Sequence, residues 1–484
     1  MKALVLSACI VIVSSASVSA QSAHVTTVEL PARANQLPDR ENPNASTIAA
    51  YTESSSLLPA VVSTEVKRLS EAKDVLKTIY SASFTRMAEQ QGQIPQGILL
   101  NQGSISLPKL HQRHPNWLRK VDDKQYVAEL PIIVDIGAEL VISDNQILTL
   151  SNQKGSFLHN SGRLLITDAV VQGSAEQSQH SDFQPFIFSF GGSTTVVVNS
   201  TVRQLGFNET SSYGFSIRPA TSAALQMLTG NERLQLARAP RLYVENSRFE
   251  NLYIGIQADG VKDSAIKNSQ VSHSQFDGIQ ILATASPMHI SNNTIEQSKR
   301  HGLFLSDAVK ASRVSDNQIL LNGGAGIHIE QASANNVIAY NEIFQNATDG
   351  IGVYEANENR LYGNRIYQNG SHGIRLRSAL SSQLQQNILL ANQGSGVFIY
   401  AKDDETLGAD LSASAVSEVI GGLMIGNQRG AITSEAPYSL LLGDLKLENN
   451  GRKAFRGRLE LLEGAIVSAT LTTNSAALIQ FEED

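Results

Sequence analysis

The 484-residue sequence predicts an all-β fold, a parallel β-helix, and three observations carry that expectation. Seven glycines, Gly255, Gly278, Gly302, Gly326, Gly350, Gly373 and Gly396, recur every 23 or 24 residues, each opening a short apolar strand such as GIHIE or GIRLR. Asn268, Asn293, Asn317, Asn341, Asn364 and Asn387 precede six of these glycines by nine residues, in one case ten. A second series, Asn322, Asn346, Asn369 and Asn392, stands four residues before its glycines. One repeat offers only one or two apolar strands and cannot bury a core alone, so it needs a like neighbour above and below. Asparagines aligned at the corners then bond the backbone of the adjacent coil.

Residues 1–20 carry Lys2, an apolar run from Ala3 to Val13 and the small-residue ending Val18-Ser19-Ala20. This reads as a secretory signal peptide cleaved after Ala20. The single cysteine, Cys9, lies inside it, so the remaining chain has no thiol. No other stretch approaches the length of apolar sequence that spans a bilayer. Without Lys2 the formal charge moves from -7 to about -8, a mildly acidic balance that argues against nucleic acid as a partner. An anionic ligand would require the basic groups to be gathered in one groove.

Residues 21–63 are rich in Ser, Thr, Ala, Pro and Asn and read as a flexible leader. From Thr64 to Gln90, Val66, Leu69, Val75, Leu76, Ile79 and Met87 approximate helical spacing, so residues 64–92 are expected to form a helix capping the N-terminal end of the solenoid. Residues 93–484 are expected to form the β-helix and its C-terminal cap as one continuous domain. Two stretches break the rhythm: Ile217 to Ala239, read as a loop with a helical turn, and Ala401 to Ala415. Asp403-Asp404-Glu405 in the second stretch reads as solvated sequence rather than a calcium loop, and neither a metal nor a cofactor is expected.

In every repeat the residue after the glycine is apolar and should point inward. Alternation then turns the second and fourth residues after the glycine outward. The first outward column is Gln257, Gln280, Phe304, His328, Gly352, Arg375 and Phe398; the second is Asp259, Leu282, Ser306, Glu330, Tyr354, Arg377 and Tyr400. His328, Glu330, Tyr354, Arg375 and Arg377 should cluster within three coils. Cations, aromatic rings and a proton-transfer group on one face suit an acidic polysaccharide, because Arg binds a carboxylate through two parallel hydrogen bonds. Polar strand residues forming weak surface ion pairs are the alternative.

The stretches FQPFIFSFGGSTTVVVNSTV, SKRHGLFLS, NNVIAYNEIFQNATDGIGVYE, NRLYGNRIYQNGSHGIRLR and GVFIYAKD resemble the periplasmic mannuronan C5-epimerases of bacterial alginate biosynthesis, and the likeness runs from about Gln93 to Gly451. It implies a right-handed β-helix in the periplasm that binds polymannuronate along one sheet. It also implies removal of the C5 proton and its return to the other face of the sugar. Such chemistry needs a cation to neutralise the carboxylate, a base, and an acid across the ring. The resemblance carries over to Tyr354, Glu355, Arg375, Arg377, His301 and Asp349, with Glu330 in place of an aspartate. Gln280 lies on the same face and is assigned with them to substrate binding.

The chain departs from the family where it matters most. The family's Asp-Pro-His-Asp motif, whose histidine moves the proton, is replaced by Gly278-Ile279-Gln280-Ile281-Leu282-Ala283, with Leu282 in the histidine's column. A Ser-Arg pair after the following strand becomes Ser306-Asp307. Three readings remain open: a protein that binds or shelters polymannuronate or a related acidic polysaccharide, alone or with secretion-complex proteins; an epimerase or lyase with a relocated site using His328, Tyr354 and Arg375; and a structural solenoid.

Overall fold

A computed structural model describes residues 23–31, 58–59, 61–69, 89–92, 94–175, 183–284, 286–401, 416–436, 438–471 and 474–481. The expected signal peptide, most of the leader and residues 402–415 lie outside the described residues. The chain divides into two compact units, Glu41–Gly324 and Met1–Arg40 with Ala325–Asp484. Each is a stack of three-stranded coils whose strands pair in parallel with their counterparts one coil on. Ile254–Asp259, Ala265–Lys267 and Gln270–Ser272 make one coil of the first unit; Ile351–Tyr354, Arg360–Tyr362 and Arg365–Tyr367 make one of the second. The repeat therefore holds three strands rather than one or two. The second and third are three residues each, too short to stand out as apolar runs.

Ile256, Ile279 and Leu303 in the first unit, and Ile327, Ile351, Ile374 and Val397 in the second, are fully buried, as the alternation predicts. The opening glycines serve close approach rather than a special backbone angle. A Cβ on Gly278 would lie 2.6 Å from the Gly302 carbonyl oxygen and 2.6 Å from Ile295 Cγ2, closer than packed atoms come.

The asparagine series form buried ladders. In one, Asn341 donates from its backbone N–H and its Nδ2 to Asn364 Oδ1, both at 3.0 Å, and Asn364 bonds Asn387 in the same way at 3.1 and 3.0 Å. The other runs through Asn346, Asn369, Asn392, Asn427 and Asn450. The residue before each ladder asparagine takes a left-handed conformation, as at Tyr340 (φ 58°) and Gln368 (φ 55°). The side-chain bonds hold these sharp corners closed. Asn268 is the exception among the expected positions. It occupies the left-handed site itself (φ 50°), and Ser269 takes the ladder position, receiving its bond from Ser247 N–H.

The segments before residue 93 differ from expectation. Ala23–Glu29, assigned to the flexible leader, is a strand pairing antiparallel with Ser475–Phe481, which itself pairs antiparallel with Leu440–Gly443. With the helix Glu463–Ala469 it closes the C-terminal edge of that unit, where unpaired backbone would otherwise invite another chain. Ser63–Arg68, assigned to the capping helix, is a strand antiparallel to the first half of Gln96–Ser106. Val66 and Leu69 fit helical spacing, but the segment pairs instead along the edge of Gln96–Ser106, where the β-branched Thr64 and Val66 suit a strand. Glu89–Gln91 are helical, and residues 70–88 lie outside the described residues. Leu107–Arg113, following the long first strand, is a short helix that buries Leu107 and Leu110.

Within Ile217–Ala239, the helices Ser222–Gln226 and Gly230–Leu236 confirm the expected helical turn. They anchor Ala224, Leu228 and Leu236 on an apolar cluster containing Phe157, Phe186, Phe188 and Phe190. The outward residues Phe188 and Phe190 of an early coil are thus covered.

Replacing Asn364 with alanine removes a donor and an acceptor from a buried corner. It should destabilise the protein by roughly 2–4 kcal/mol, read as a lower thermal midpoint.

Candidate functional site

In the unit comprising residues 325–484, the strand register reproduces both outward columns. His328 pairs with Gly352, Gly352 with Arg375 and Arg375 with Phe398; Glu330 pairs with Tyr354, Tyr354 with Arg377 and Arg377 with Tyr400. Side chains some 23 residues apart in sequence therefore touch. His328 Nε2 lies 3.0 Å from Glu330 Oε2, and its ring meets the Tyr354 ring edge-on with centroids 4.6 Å apart. The Arg377 guanidinium lies 4.0 Å over the Tyr354 ring, while Arg375 Nη1 donates to the Tyr354 hydroxyl at 3.2 Å. Gly352, with no side chain, leaves the space between His328 and Arg375 that Tyr354 shares.

Both arginines are held by carboxylates of the protein. Arg375 Nη2 is 3.1 Å from the buried Asp349 Oδ1 and donates to Ser371 Oγ at 2.8 Å; Arg377 Nη2 is 3.0 Å from Glu355 Oε2. Arg375 and Arg377 thus face Glu330, Asp349 and Glu355, so the patch is a preorganised donor array and not a basic groove. The Nε–H of each arginine is buried and makes no hydrogen bond, so any ligand would meet the outer Nη groups. Beyond them, His372, Phe398 and Tyr400 stack in sequence, with centroids 4.6 and 4.9 Å apart.

In the unit comprising residues 41–324 the outward columns also keep register: Gln257 with Gln280 and Gln280 with Phe304, then Asp259 with Leu282 and Leu282 with Ser306. Leu282, which carries no ionisable group, stands between the buried Ser306 and Asp259, which pairs with Arg218 and whose carboxyl burial pushes up against the pull of that arginine. Asp277, fully buried, pairs with Arg300 Nε at 2.9 Å and accepts from His301 N–H at 3.1 Å. Arg300 lies between the rings of Phe276 and Phe304, at 4.3 and 4.6 Å. Phe304, expected to be exposed, is covered. Gln280 accepts from Gln257 Nε2 at 2.6 Å and donates to Asp277 Oδ2 at 3.4 Å, which commits its amide to this network.

Two sequence profiles match: the "Right handed beta helix region" over residues 186–357 and the "Periplasmic copper-binding protein (NosD)" over residues 326–433. The chain is 32% identical over 196 residues to a mannuronan C5-epimerase of Pseudomonas syringae pv. tomato, covering 38% of this chain and 35% of that protein. It is 30% identical over 203 residues to the enzyme of Pseudomonas aeruginosa, covering 39% and 36%. The aligned stretch thus spans about a third of the length of these relatives. The crystal structure of the periplasmic alginate epimerase AlgG superposes with a TM-score of 0.70 and 26% identity, over 85% of this chain and 99% of that one. The chain is similar to the mannuronan C5-epimerases in sequence over this stretch and to the periplasmic alginate epimerase in fold. The solenoid is the right-handed parallel β-helix of the first profile. A copper site does not fit the second: among the described residues no group of three or more His, Cys, Asp or Glu side chains is placed to hold a metal.

Asp349, assigned to substrate binding, and Asp277, which was not assigned, share one arrangement. Each precedes a strand-opening glycine, is buried, and accepts from the N–H of a histidine one coil on, His372 or His301, at 3.0 and 3.1 Å. Each also holds an arginine, Arg375 or Arg300. Ser371 and Arg300 went unassigned because neither lies in an outward column.

Burial pushes the Asp349 carboxyl up, against the pull of Arg375. Burial works against the Arg375 cation too, yet Asp349 and Tyr354 beside it hold its pKa above the ordinary arginine value. The Tyr354 phenol is likewise pushed up by burial, so at neutral pH it donates a proton rather than accepting one. His372 is lowered to about 3 by burial, with Arg375 and Arg429 adding to the shift, and its Nδ1 accepts from Ser395 N–H at 2.9 Å. Since its folded pKa lies below the unfolded value, protonation favours the unfolded chain. The contribution of His372 should be fully present above about pH 6.5 and fall by up to about 1.4 kcal/mol per pH unit as pH drops towards 3. Thermal midpoints across that range should show a shallower acid dependence for His372→Gln than for wild type.

Proposed function

We infer that the protein binds polymannuronate or a related uronate polymer in the periplasm, without epimerising it through the family's usual residues. The observation that carries this reading is the replacement of the proton-transfer position by Leu282 while the Arg375–Tyr354–Arg377 array is kept. Leucine holds no proton, and Ser306-Asp307 supplies a carboxylate where the chemistry calls for a cation. Two guanidinium groups fixed by their own partners lose little freedom on meeting a ligand and present planar donors to successive carboxylates or hydroxyls. The stacked rings of Phe398 and Tyr400 add apolar surface for sugar faces.

Inversion at C5 needs proton carriers on opposite faces of the sugar. A ring held between two carriers separates them by two van der Waals contacts, about 7–8 Å, whereas His328 and Tyr354 touch at 4.6 Å between centroids. They serve one side of a ligand only. Binding to immobilised polymannuronate should therefore weaken with salt, and by about tenfold for either Arg375→Ala or Arg377→Ala, while the proton NMR spectrum of the polymer in heavy water stays unchanged. No binding at low salt would overturn this reading.

A second reading is favoured by the His328–Glu330 contact, which orients an imidazole next to a protonated phenol and an arginine. One-sided proton transfer suits elimination: His328 takes the C5 proton, the C4–O bond breaks with its electrons on oxygen, Tyr354 protonates that oxygen, and a C4=C5 double bond forms. This reading expects ultraviolet absorbance from unsaturated uronate to grow with wild type and to vanish with His328→Ala and Tyr354→Phe. A wild-type rate in both variants excludes it.

A further inference from the structure

The sheet formed by the third strands of the unit comprising residues 41–324 carries a different concavity. Its outward column Val127, Thr149, Gln172 and Arg203 is in register across four strands. Arg203 donates from Nε and Nη2 to Gln172 Oε1 at 2.9 and 2.7 Å, and Gln172 Nε2 donates to Thr149 Oγ1 at 3.2 Å. This chain of bonds fixes the plane of the Arg203 guanidinium. Around it lies a cavity of about 690 Å³ whose rim brings in Arg119 and Lys154.

Charge separates this place from the glycine-led patch. Arg119 is paired with Glu129 at 3.3 Å, whereas Arg203 and Lys154 make no ion pair among the described residues, although Glu250 follows Arg203 in register along the column. Among the described residues three cations line the cavity against one carboxylate, in a chain that is acidic as a whole. Concentrated positive charge in a cleft of a negative protein is a recognition feature for anions. The volume falls within the range of small-molecule sites and exceeds what a lone phosphate fills. Hydroxyl and amide groups of Thr149, Ser151 and Gln172 match a ligand rich in hydroxyls.

We propose that this cavity is a second saccharide site, taking a short acidic oligosaccharide whose carboxylate pairs with Arg203 and Lys154. It lies on a different sheet from the glycine-led strands and uses none of their residues.

The test is equilibrium titration of the full chain with short mannuronate oligomers, with neutral mannan oligomers and inorganic phosphate as separate ligands. Wild type should bind two uronate oligomers, and Arg203→Ala with Lys154→Ala should remove one of them, an affinity loss of at least about tenfold. Arg375→Ala with Arg377→Ala should remove the other. Lys154→Ala alone, on an exposed side chain, should weaken the second site with an unchanged melting curve, which separates ligand loss from misfolding. Unchanged stoichiometry and affinity in the Arg203/Lys154 variant would overturn the proposal, as would saturation of the cavity by phosphate but not by the oligomer. A single wild-type site abolished only by the Arg203/Lys154 changes would support this site and sink the reading of the glycine-led patch; one abolished only by the Arg375/Arg377 changes would do the reverse.

Discussion

Amide side chains shared between neighbouring coils set the register on which the rest of this protein depends. A corner that turns through a left-handed residue leaves backbone groups buried without strand partners. Asn364 answers that demand by accepting from Asn341 and donating to Asn387 and to the Ile338 carbonyl. Each coil is thereby locked to the next at both ends of a short third strand. With corners fixed, strands of only three or four residues hold their pairing, and columns of outward side chains stay aligned. The contact between Arg377 and Tyr354 is a consequence of that alignment, not a local feature of either strand.

Within that frame the glycine-led patch is built for preorganisation rather than for net charge. Asp349 and Glu355 hold two arginines still, at the cost of neutralising part of their field. Such a surface discriminates by the geometry of its donors and by its rings, and suits a polymer that makes many modest contacts. The cavity on the third-strand sheet is built differently, with the oriented Arg203 guanidinium and Lys154 making no ion pair among the described residues. A mildly acidic chain thus carries two differently built donor surfaces, one set by fixed geometry and the other by local positive charge. What the chain has given up is equally local. Leu282 keeps the register of its strand with Ser306, because outward positions tolerate any side chain the neighbours can cover, but it carries no group that moves a proton.

The fold and the main cluster were legible because two periods, two residues along a strand and 23 or 24 along the chain, fix both direction and neighbourhood. His328, Tyr354, Arg375 and Arg377 could be placed together on those grounds alone. What escaped depended on contacts outside either period. Phe304 sits in an outward column yet is covered, because Arg300 from the preceding turn folds over it. Asn268 shifts by one place, and only the neighbouring coil shows that Ser269 bonds in its stead. The pairing of Ala23–Glu29 with Ser475–Phe481 joins opposite ends of the sequence and leaves no local trace. Arg119, Lys154 and Arg203 fall in the irregular early coils, at spacings no repeat reveals.

Hydroxyl-radical footprinting with and without polymannuronate tests the central claim most directly, since it reports side-chain exposure residue by residue. The account predicts that the polymer protects Tyr354, Phe398 and Tyr400, while the stacked pair Phe344 and Tyr367 on the third-strand sheet, with centroids 4.8 Å apart, oxidises as before. Protection of Phe344 and Tyr367 with none at Tyr354 would contradict it.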